Sequence, residues 1–387
     1  MQWRLAHSLA HPLAQRLSQR LYAASTVLLL ATGLGAQAAH AQEPPVLNIY
    51  NWGDYIADDT IANFEKETGI KVRYDNFDSN EALHAKLVAG MSGYDIVVPG
   101  SHFAKLQIQG GLLQKLDKSK IPNLKNLDPA IQAQLAKVDP GNEHLVDWMW
   151  GYTTVGINTD EVKKALGETP LPDNAWDLVF NPDYASKLKN CGISYLDTAS
   201  EIIPIALKYI GKDPRSTDAA DYAEVAKMLK AVRPHVTRFA GSGSDYIDQM
   251  ARGQLCAVIG WSGDIMIAKD KSAETPTPQN LEVLLPKMGG LLFFDTMAIP
   301  KDAKHVDNAH KWINYILEPK VSAELTNAVF YANPNKESLP YVNPALAGDK
   351  AVFPDAEALA SMIAPDTPDQ ATLRLITRTF TNFKANR

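Results

Sequence analysis

The order of strands and helices in the first part of the chain constrains its fold more than any other feature. Three predicted strands alternate with two predicted helices, over Val46–Tyr50, Asp58–Glu67, Ile70–Tyr74, Asn80–Ala89 and Tyr94–Val98. The strand segments are rich in β-branched and aromatic residues. The helix segments begin at acidic or polar residues and end at Gly69 and Gly90. This β-α-β-α-β order predicts a sheet with helices on both of its faces.

A similar pattern returns in the second half of the chain. Predicted strands cover Cys191–Leu196, Leu255–Gly260, Leu281–Leu285 and Leu291–Ile299, and predicted helices cover about Ser200–Ile210, Asp218–Val232, Asn308–Leu317 and Pro319–Ala328, with a short helix opening at Gly263. Two α/β lobes of comparable size account for this pattern better than one large sheet. The later strands could return to the first lobe, which periodicity leaves open.

Composition argues against several classes of protein. The chain has 387 residues, 45% of them hydrophobic, which supports a sizeable core and argues against disorder. Its formal net charge of −6 argues against a nucleic-acid-binding protein, which normally presents a basic surface. Its two cysteines are too few for a disulfide-rich scaffold or a four-cysteine zinc site.

Residues 1–41 have the features of a cleaved secretory signal peptide. Three arginines precede an apolar run over Leu21–Ala39, and Ala39–Ala41 forms a small-x-small cleavage signature. The alternative is a membrane anchor, but the strongly apolar part is short for a spanning helix and is diluted by glycines and polar residues. Cleavage would leave 346 residues with a net charge of −9, because the leader carries three arginines and no acidic residue.

Export of the protein would affect the oxidation state that we expect for its two cysteines. An exported protein meets an oxidising compartment, which favours a disulfide between Cys191 and Cys256. Two buried free thiols remain the alternative on composition alone.

Aromatic residues stand beside a carboxylate at three places near predicted strand ends. These are Asn51–Tyr55, Gly260–Asp264 and Phe293–Asp295, and Glu201 follows a fourth strand. Ligands of open α/β sheets bind beyond the carboxyl ends of strands. An aromatic face attracts a cation and a carboxylate pairs with it. A helix-capping aspartate or a salt-bridged carboxylate would explain any one group. Three of them together predict an acidic, aromatic-walled site for a small organic cation.

Enzyme motifs are mostly absent from the sequence. It has no His-Glu-x-x-His, no phosphate-binding loop ending in Gly-Lys-Ser/Thr, and no Gly-x-Gly-x-x-Gly. Gly260–Gly263 partly matches a nucleophile elbow, but Asp264 stands where the last glycine belongs. Each scattered histidine is interpreted as a satisfied or exposed side chain. We therefore predict a protein that is not an enzyme and needs no metal or cofactor. A secreted hydrolase using two of the carboxylates is the alternative class.

Many ordered motifs of the mature chain resemble one known family. They lie at Asn51–Ile56, Phe64–Val72, Tyr74–Glu81, Tyr94–Pro99, Leu116–Lys120, Cys191–Ser194, Ile259–Asp264 and Phe293–Asp295. Together they resemble the periplasmic polyamine-binding proteins of ABC transporters, closest to the putrescine-binding branch. The resemblance covers essentially the whole chain after the leader.

The resemblance implies a fold and a site. The fold would be a two-lobed α/β clamshell of the type II periplasmic binding proteins, with the ligand in the cleft between the lobes. Residues 42–150 and about 273–325 would form the first lobe, and residues 151–272 and about 326–387 the second. The family also carries a disulfide matching Cys191–Cys256. The implied ligand-binding residues are Trp52, Asp54, Tyr55, Glu201, Trp261, Asp264, Phe293, Asp295 and Tyr331.

The implied function is capture of a small polyamine by a periplasmic monomer, with putrescine favoured, and delivery to a membrane ABC permease. Spermidine, cadaverine or agmatine are alternative ligands, and a polyamine sensor is an alternative role. Two positions depart from the family: Gly53 replaces its Ser or Thr, and Gly100 replaces its Ser. With the additional acid Asp245, a longer polyamine or a modified diamine could also enter.

Overall fold

The computed structural model of the protein describes residues 43–364 and 366–386. The predicted signal peptide and its cleavage site lie outside this part of the chain. Residues from Pro45 onward form one compact unit. Among the described residues, no helix combines the length and the apolar character needed to cross a bilayer.

The first sheet has the predicted β-α-β-α-β connection. Its three parallel strands are β1 (Val46–Trp52), β2 (Lys71–Phe77) and β3 (Ile96–Val97), in the order β2-β1-β3. The helices between them are α1 (Thr60–Thr68) and α2 (Asn80–Ala89). The third strand is shorter than predicted, since only two of its residues pair with β1.

Local capping explains where these two helices begin and end. At the end of α1, Gly69 adopts a left-handed conformation with φ of 72° and donates its N–H to the carbonyl of Glu65. At the start of α2, the Ser79 side chain accepts a hydrogen bond from the backbone N–H of Ala82. Both helices therefore return the chain to the sheet within a few residues.

The second sheet is mixed. Its strands are β4 (Val146–Asn158), β5 (Ile193–Leu196), β6 (Arg238–Ala240), β7 (Ala257–Trp261), β8 (Leu281–Leu284) and β9 (Leu291–Met297). They follow the order β6-β5-β7-β4-β8, and β9 also pairs with β4. β5 runs parallel to β6 and β7, whereas β4 runs antiparallel to β7, β8 and β9.

The other helices cover these sheets and form the C-terminal part of the chain. They are α3 (Ser101–Gln109), α4 (Pro129–Leu135), α5 (Thr159–Leu166), α6 (Asp177–Phe180), α7 (Pro182–Leu188), α8 (Ala199–Tyr209), α9 (Ala219–Val232), α10 (Ser244–Ala251), α11 (Ser262–Ala273), α12 (Val306–Ile316), α13 (Pro319–Val329), α14 (Pro344–Ala347), α15 (Ala356–Ser361) and α16 (Gln370–Lys384). The predicted later elements are present with ends shifted by at most two residues. The exception is α11, which is longer than the short helix predicted at Gly263.

The hydrophobic core follows the two sheets. One buried cluster joins the first sheet to α12 and contains Leu47, Ile96 and Trp312. Another joins the second sheet to the helices around it and contains Ile259 and Phe380. The observed architecture is therefore α/β with two cores, as the sequence predicts.

Two strands run from one core into the other. In β4, Val146 and Met149 lie in the first core and Val155 lies in the second. In β9, Leu291 lies in the second core and Met297 in the first. Each strand thus carries the chain between the two halves of the molecule.

The predicted lobe limits remain a prediction, but packing bears on each of them. The limit near residue 150 falls inside β4. The limit near 273 differs from the packing, because β8 extends the second sheet and Leu281 belongs to the second core. The limit near 325 also differs, because Val329 and Tyr331 still pack in the first core.

The predicted disulfide is confirmed. Cys191 precedes β5 and Cys256 precedes β7, and the two residues are bonded with a sequence separation of 65. The bridge therefore joins neighbouring strands of the second sheet at their amino ends. Neither cysteine lines the cavity described below.

Removing this bridge should destabilise the protein without touching the site. For the double variant Cys191→Ser/Cys256→Ser, chain-entropy reasoning gives a loss of about 4 kcal/mol, which corresponds to a melting temperature lower by roughly 5 °C. Scanning calorimetry with and without reductant measures this loss, and the double variant serves as the reductant-insensitive control. Equal melting temperatures for oxidised wild type and the variant would contradict a stabilising role.

Candidate functional site

A partly open cavity of about 70 Å³ lies where the strand ends of both sheets meet. All of the predicted site residues line it: Trp52, Asp54, Tyr55, Glu201, Trp261, Asp264, Phe293, Asp295 and Tyr331. Trp52 ends β1, and Asp54 and Tyr55 follow it. Glu201 lies in the first turn of α8, and Asp264 lies in the first turn of α11. The fold therefore brings the predicted set together, while contact with a ligand remains a prediction.

Aromatic rings form the walls of the cavity. The ring centroids of Trp52 and Trp261 are 6.3 Å apart at 64°, and those of Phe293 and Tyr331 are 5.9 Å apart. Tyr55 meets Tyr331 edge-on at 5.0 Å. The indole N–H of Trp52 donates to the carbonyl of Val98 at 3.0 Å, which fixes that ring. Such faces suit an alkyl chain or a cation.

Asp264 is held by two tyrosine hydroxyls. Tyr331 donates to Oδ1 at 2.6 Å and Tyr246 donates to Oδ2 at 3.0 Å. Gly243 leaves no space for a side chain beside this carboxylate, since a Cβ added there would stand 2.1 Å from Oδ2. The Asp264 carboxylate is therefore fixed in position by its neighbours.

Asp295 and Glu201 are held in the same manner. Tyr55 donates to Oδ2 of Asp295 at 3.0 Å. Oε2 of Glu201 accepts from the indole N–H of Trp261 at 3.0 Å and from the hydroxyl of Thr153. Uncharged donors alone hold both carboxyls.

Burial raises the pKa of all three acids and so disfavours their ionised forms. Desolvation raises the pKa of Asp264 to about 6, of Glu201 to about 7 and of Asp295 to about 8, and the hydrogen bonds from their neighbours only partly offset it. Among the ion pairs formed by the described residues, none involves any of the three. Among the described residues, the cavity thus gathers three acids that no lysine or arginine pairs with directly, so their ionisation depends on a cation from outside.

Asp54 differs from the other acids because it is exposed at the mouth of the cavity. It adopts φ of 51°, a left-handed conformation that aspartate tolerates better than most residues. Its Oδ2 accepts a hydrogen bond from the Ser244 hydroxyl at 2.6 Å. Ser244 begins α10, so this bond connects the loop after β1 to the second half of the chain.

The sequence-based prediction missed several lining residues. Phe77 ends β2, and His102 follows β3 by a few residues, so both stand at the same sheet edge as Trp52. Burial lowers the pKa of His102 to about 4, so it lines the cavity as a neutral imidazole. This corrects its interpretation as an ordinary scattered histidine. The available signal was its place just after a strand end.

The two glycine departures are placed differently. A side chain at Gly53 would meet no atom within 4 Å, whereas a Cβ at Gly100 would stand 3.0 Å from the Asn80 amide. A side chain at position 53 would therefore enter open space, whereas one at position 100 would press on Asn80. Within the described part of the chain, no group of three or more histidine, cysteine or acidic residues is arranged to hold a metal ion.

Two α/β cores joined by shared strands, with a cavity of aromatic faces and buried carboxyls, define a two-lobed solute-binding protein. A family model for bacterial extracellular solute-binding proteins matches residues 59–354. The chain belongs to this family.

Relatives of known function agree with this class. The chain is 44% identical to the putrescine-binding periplasmic protein PotF of Escherichia coli over 360 residues, which covers 93% of this chain and 96% of that one. It is 42% identical to the putrescine-binding periplasmic protein SpuD of Pseudomonas aeruginosa over 367 residues, covering 95% and 99%.

A solved structure supports the fold. A putative spermidine/putrescine ABC transporter protein from Listeria monocytogenes is 31% identical and superposes with a TM-score of 0.77, covering 89% of this chain and all of that one. The prediction that the chain is not an enzyme is confirmed by the family and these relatives. The hydrolase alternative finds no support among them.

Proposed function

We propose that this protein is exported to the periplasm, captures a linear polyamine in its cavity, with putrescine favoured, and delivers it to a membrane ABC permease. The observation that carries the proposal is the set of three buried carboxyls, Glu201, Asp264 and Asp295, with no ion-pair partner among the described residues. The relatives named for putrescine binding support the same ligand.

The chemistry of a diamine matches this cavity. Alkylamines titrate near pH 10, so putrescine carries two ammonium groups at neutral pH. One ammonium would pair with Asp264 and Asp295 and the other with Glu201 or Asp54. Trp52, Trp261 and the other aromatic walls would cover the methylene spacer, and each cation–π contact would add about 0.5–2 kcal/mol.

Ligand capture would favour the closed arrangement of the two halves. The bond from Ser244 to Asp54 joins them at the mouth of the cavity. A ligand that binds the closed form more tightly shifts the population towards it. The permease would then recognise this closed form. The acidic mature chain would attract cations over a longer range, less so at high salt.

The proposal also includes export of the protein, its oligomeric state and its division into lobes. Cleavage after Ala41 would release a mature periplasmic monomer. Each lobe would contain one of the two cores, and β4 and β9 would cross from one lobe to the other. Spermidine, agmatine and cadaverine are second candidates, because other relatives are named as spermidine/putrescine-, putrescine/agmatine- and putrescine/cadaverine-binding proteins.

Calorimetric titration of the mature protein tests the proposal. We expect putrescine to bind with one-to-one stoichiometry and more tightly than cadaverine, agmatine, spermidine or spermine. Butane-1,4-diol is the matched control, because it keeps the spacer and lacks both charges, and we expect no heat from it. Absence of binding by all the polyamines would contradict the proposed function.

A further inference from the structure

One buried acid near the cavity has no part in the site described so far. Asp147 lies on β4 with its residue fully buried, and neither of its carboxyl oxygens has a hydrogen-bond partner. It forms none of the ion pairs of the described residues. An ionised carboxylate in such surroundings is costly, so Asp147 holds a proton when the cavity is empty.

The strand geometry places Asp147 behind the cavity lining, next to the strand position of Asp295. β4 and β9 pair Asp147 with Thr296 and Met149 with Asp295, so a bulge lies between Asp147 and Met149. A bulge redirects side chains that would otherwise alternate. The Asp147 carboxyl lies within electrostatic reach of Asp295 on β9 and of the Tyr55 hydroxyl after β1.

The described groups around Asp147 and Asp295 include no cation that pairs with either acid, so both can ionise only when a cation enters from outside. Tyr55 donates to Asp295, and the other acids that face Asp295 are Glu201 on α8 and Asp264 on α11. Lys271 acts on Asp264 without forming an ion pair with it. Two neighbouring buried carboxyls cannot both ionise unless a cation arrives.

We propose that Asp147 is a further acid of the binding site, and that an ammonium group entering beside Asp295 displaces a proton from the pair of carboxyls formed by Asp147 and Asp295. This inference rests on the proposed polyamine function. The O–H bond of a carboxyl breaks and its proton passes to the buffer, while the ammonium keeps its own protons. One positive charge replaces another, so the buried cluster keeps its net charge.

Proton displacement makes the affinity depend on pH. Below the pKa of the pair the proton is present and must be displaced, so binding weakens as pH falls. For one released proton, the dissociation constant rises about tenfold per pH unit. Above about pH 8 Asp295 has already ionised and releases no further proton, so the dependence that persists there belongs to Asp147, whose pKa burial raises well above its ordinary value.

Calorimetry with putrescine at pH 7, in buffers that differ in ionisation enthalpy, counts the released protons. Glu201 and Asp264 also release some, so the wild-type count alone does not assign a role to Asp147. We expect Asp147→Asn to release fewer protons than wild type and to lose part of its pH dependence. Asp173→Asn, which removes a carboxylate that is 97% exposed and lies outside the cavity, controls for loss of charge and should leave the proton count unchanged.

The outcomes separate this inference from the proposed function. Binding with equal proton release by wild type and Asp147→Asn overturns the role of Asp147 alone. Absence of polyamine binding by wild type overturns both. If Asp147→Asn does not fold, the carbon-13 shift of the wild-type Asp147 carboxyl decides. A shift on adding putrescine at pH 7 supports the inference, and an unchanged shift overturns it.

Discussion

Asp295→Asn and Asp264→Asn should each weaken putrescine binding by about 30-fold to several thousand-fold. Each variant removes one buried carboxylate from an ammonium and leaves the shape of the side chain almost unchanged. Truncating one partner of a buried charge pair costs about 2–5 kcal/mol. Isothermal calorimetry measures the loss. Asp173→Asn, whose side chain is 97% exposed and outside the cavity, is the matched control and should bind as wild type does.

The same change at Asp295 should stabilise the empty protein. The folded pKa of about 8 lies above the ordinary value of 3.8. Between these values the folded state holds a proton that the unfolded state has lost, so stability falls as pH rises through this interval. The amide of the asparagine variant cannot ionise and escapes this penalty. The melting temperature of Asp295→Asn should therefore exceed that of wild type near pH 8, and the difference should shrink towards pH 4. Tighter binding, or an unchanged melting temperature at pH 8, would contradict this account.

Gly243→Ala should weaken binding by about tenfold or more without unfolding the protein. Gly243 has φ of −59°, which alanine adopts freely, so the backbone is not strained. Its new Cβ would meet Oδ2 of Asp264 at 2.1 Å and push the carboxylate away from Tyr246. Hydrogen bonds to charged groups contribute about 1.5–3 kcal/mol each. Calorimetry measures the effect on putrescine binding.

Gly241→Ala is the matched control for this steric argument. It lies in the same loop, and its Cβ would meet the nearest atom, Oδ2 of Asp245, at an ordinary 3.6 Å. We expect its affinity and its melting temperature to match those of wild type. Equal affinities for the two alanine variants would show that the position of the Asp264 carboxylate does not control binding.

The first half of the fold could be predicted because its signals are local. Gly69 and Gly90 mark helix ends, and the alternation of strands and helices follows from short segments. β4 was missed for a physical reason: all thirteen of its residues are buried, so it lacks the alternation that identifies a half-exposed strand. β4 joins both cores, so the prediction lacked a strand that links the two halves of the fold.

The candidate site was predictable to the extent that its residues sit next to strand ends. Trp52, Asp54 and Trp261 lie at or directly after strand ends, which is a local signal. The partners that hold the acids are not local: Tyr246 reaches Asp264 from another helix, and Tyr55 reaches Asp295 across 240 positions of sequence. The sequence analysis did not identify Asp147, because an acid within an apolar run carries no local signal that it will lie near another buried acid.

The central claim is that this cavity binds a linear polyamine through carboxylates at its ends and aromatic faces between them. A crystal structure of the mature protein with putrescine tests it most directly. We expect one ammonium within hydrogen-bond distance of Asp264 and Asp295, the other at Glu201 or Asp54, and the methylenes against Trp52 and Trp261. Putrescine bound elsewhere, or an empty cavity at saturating ligand, would contradict the account.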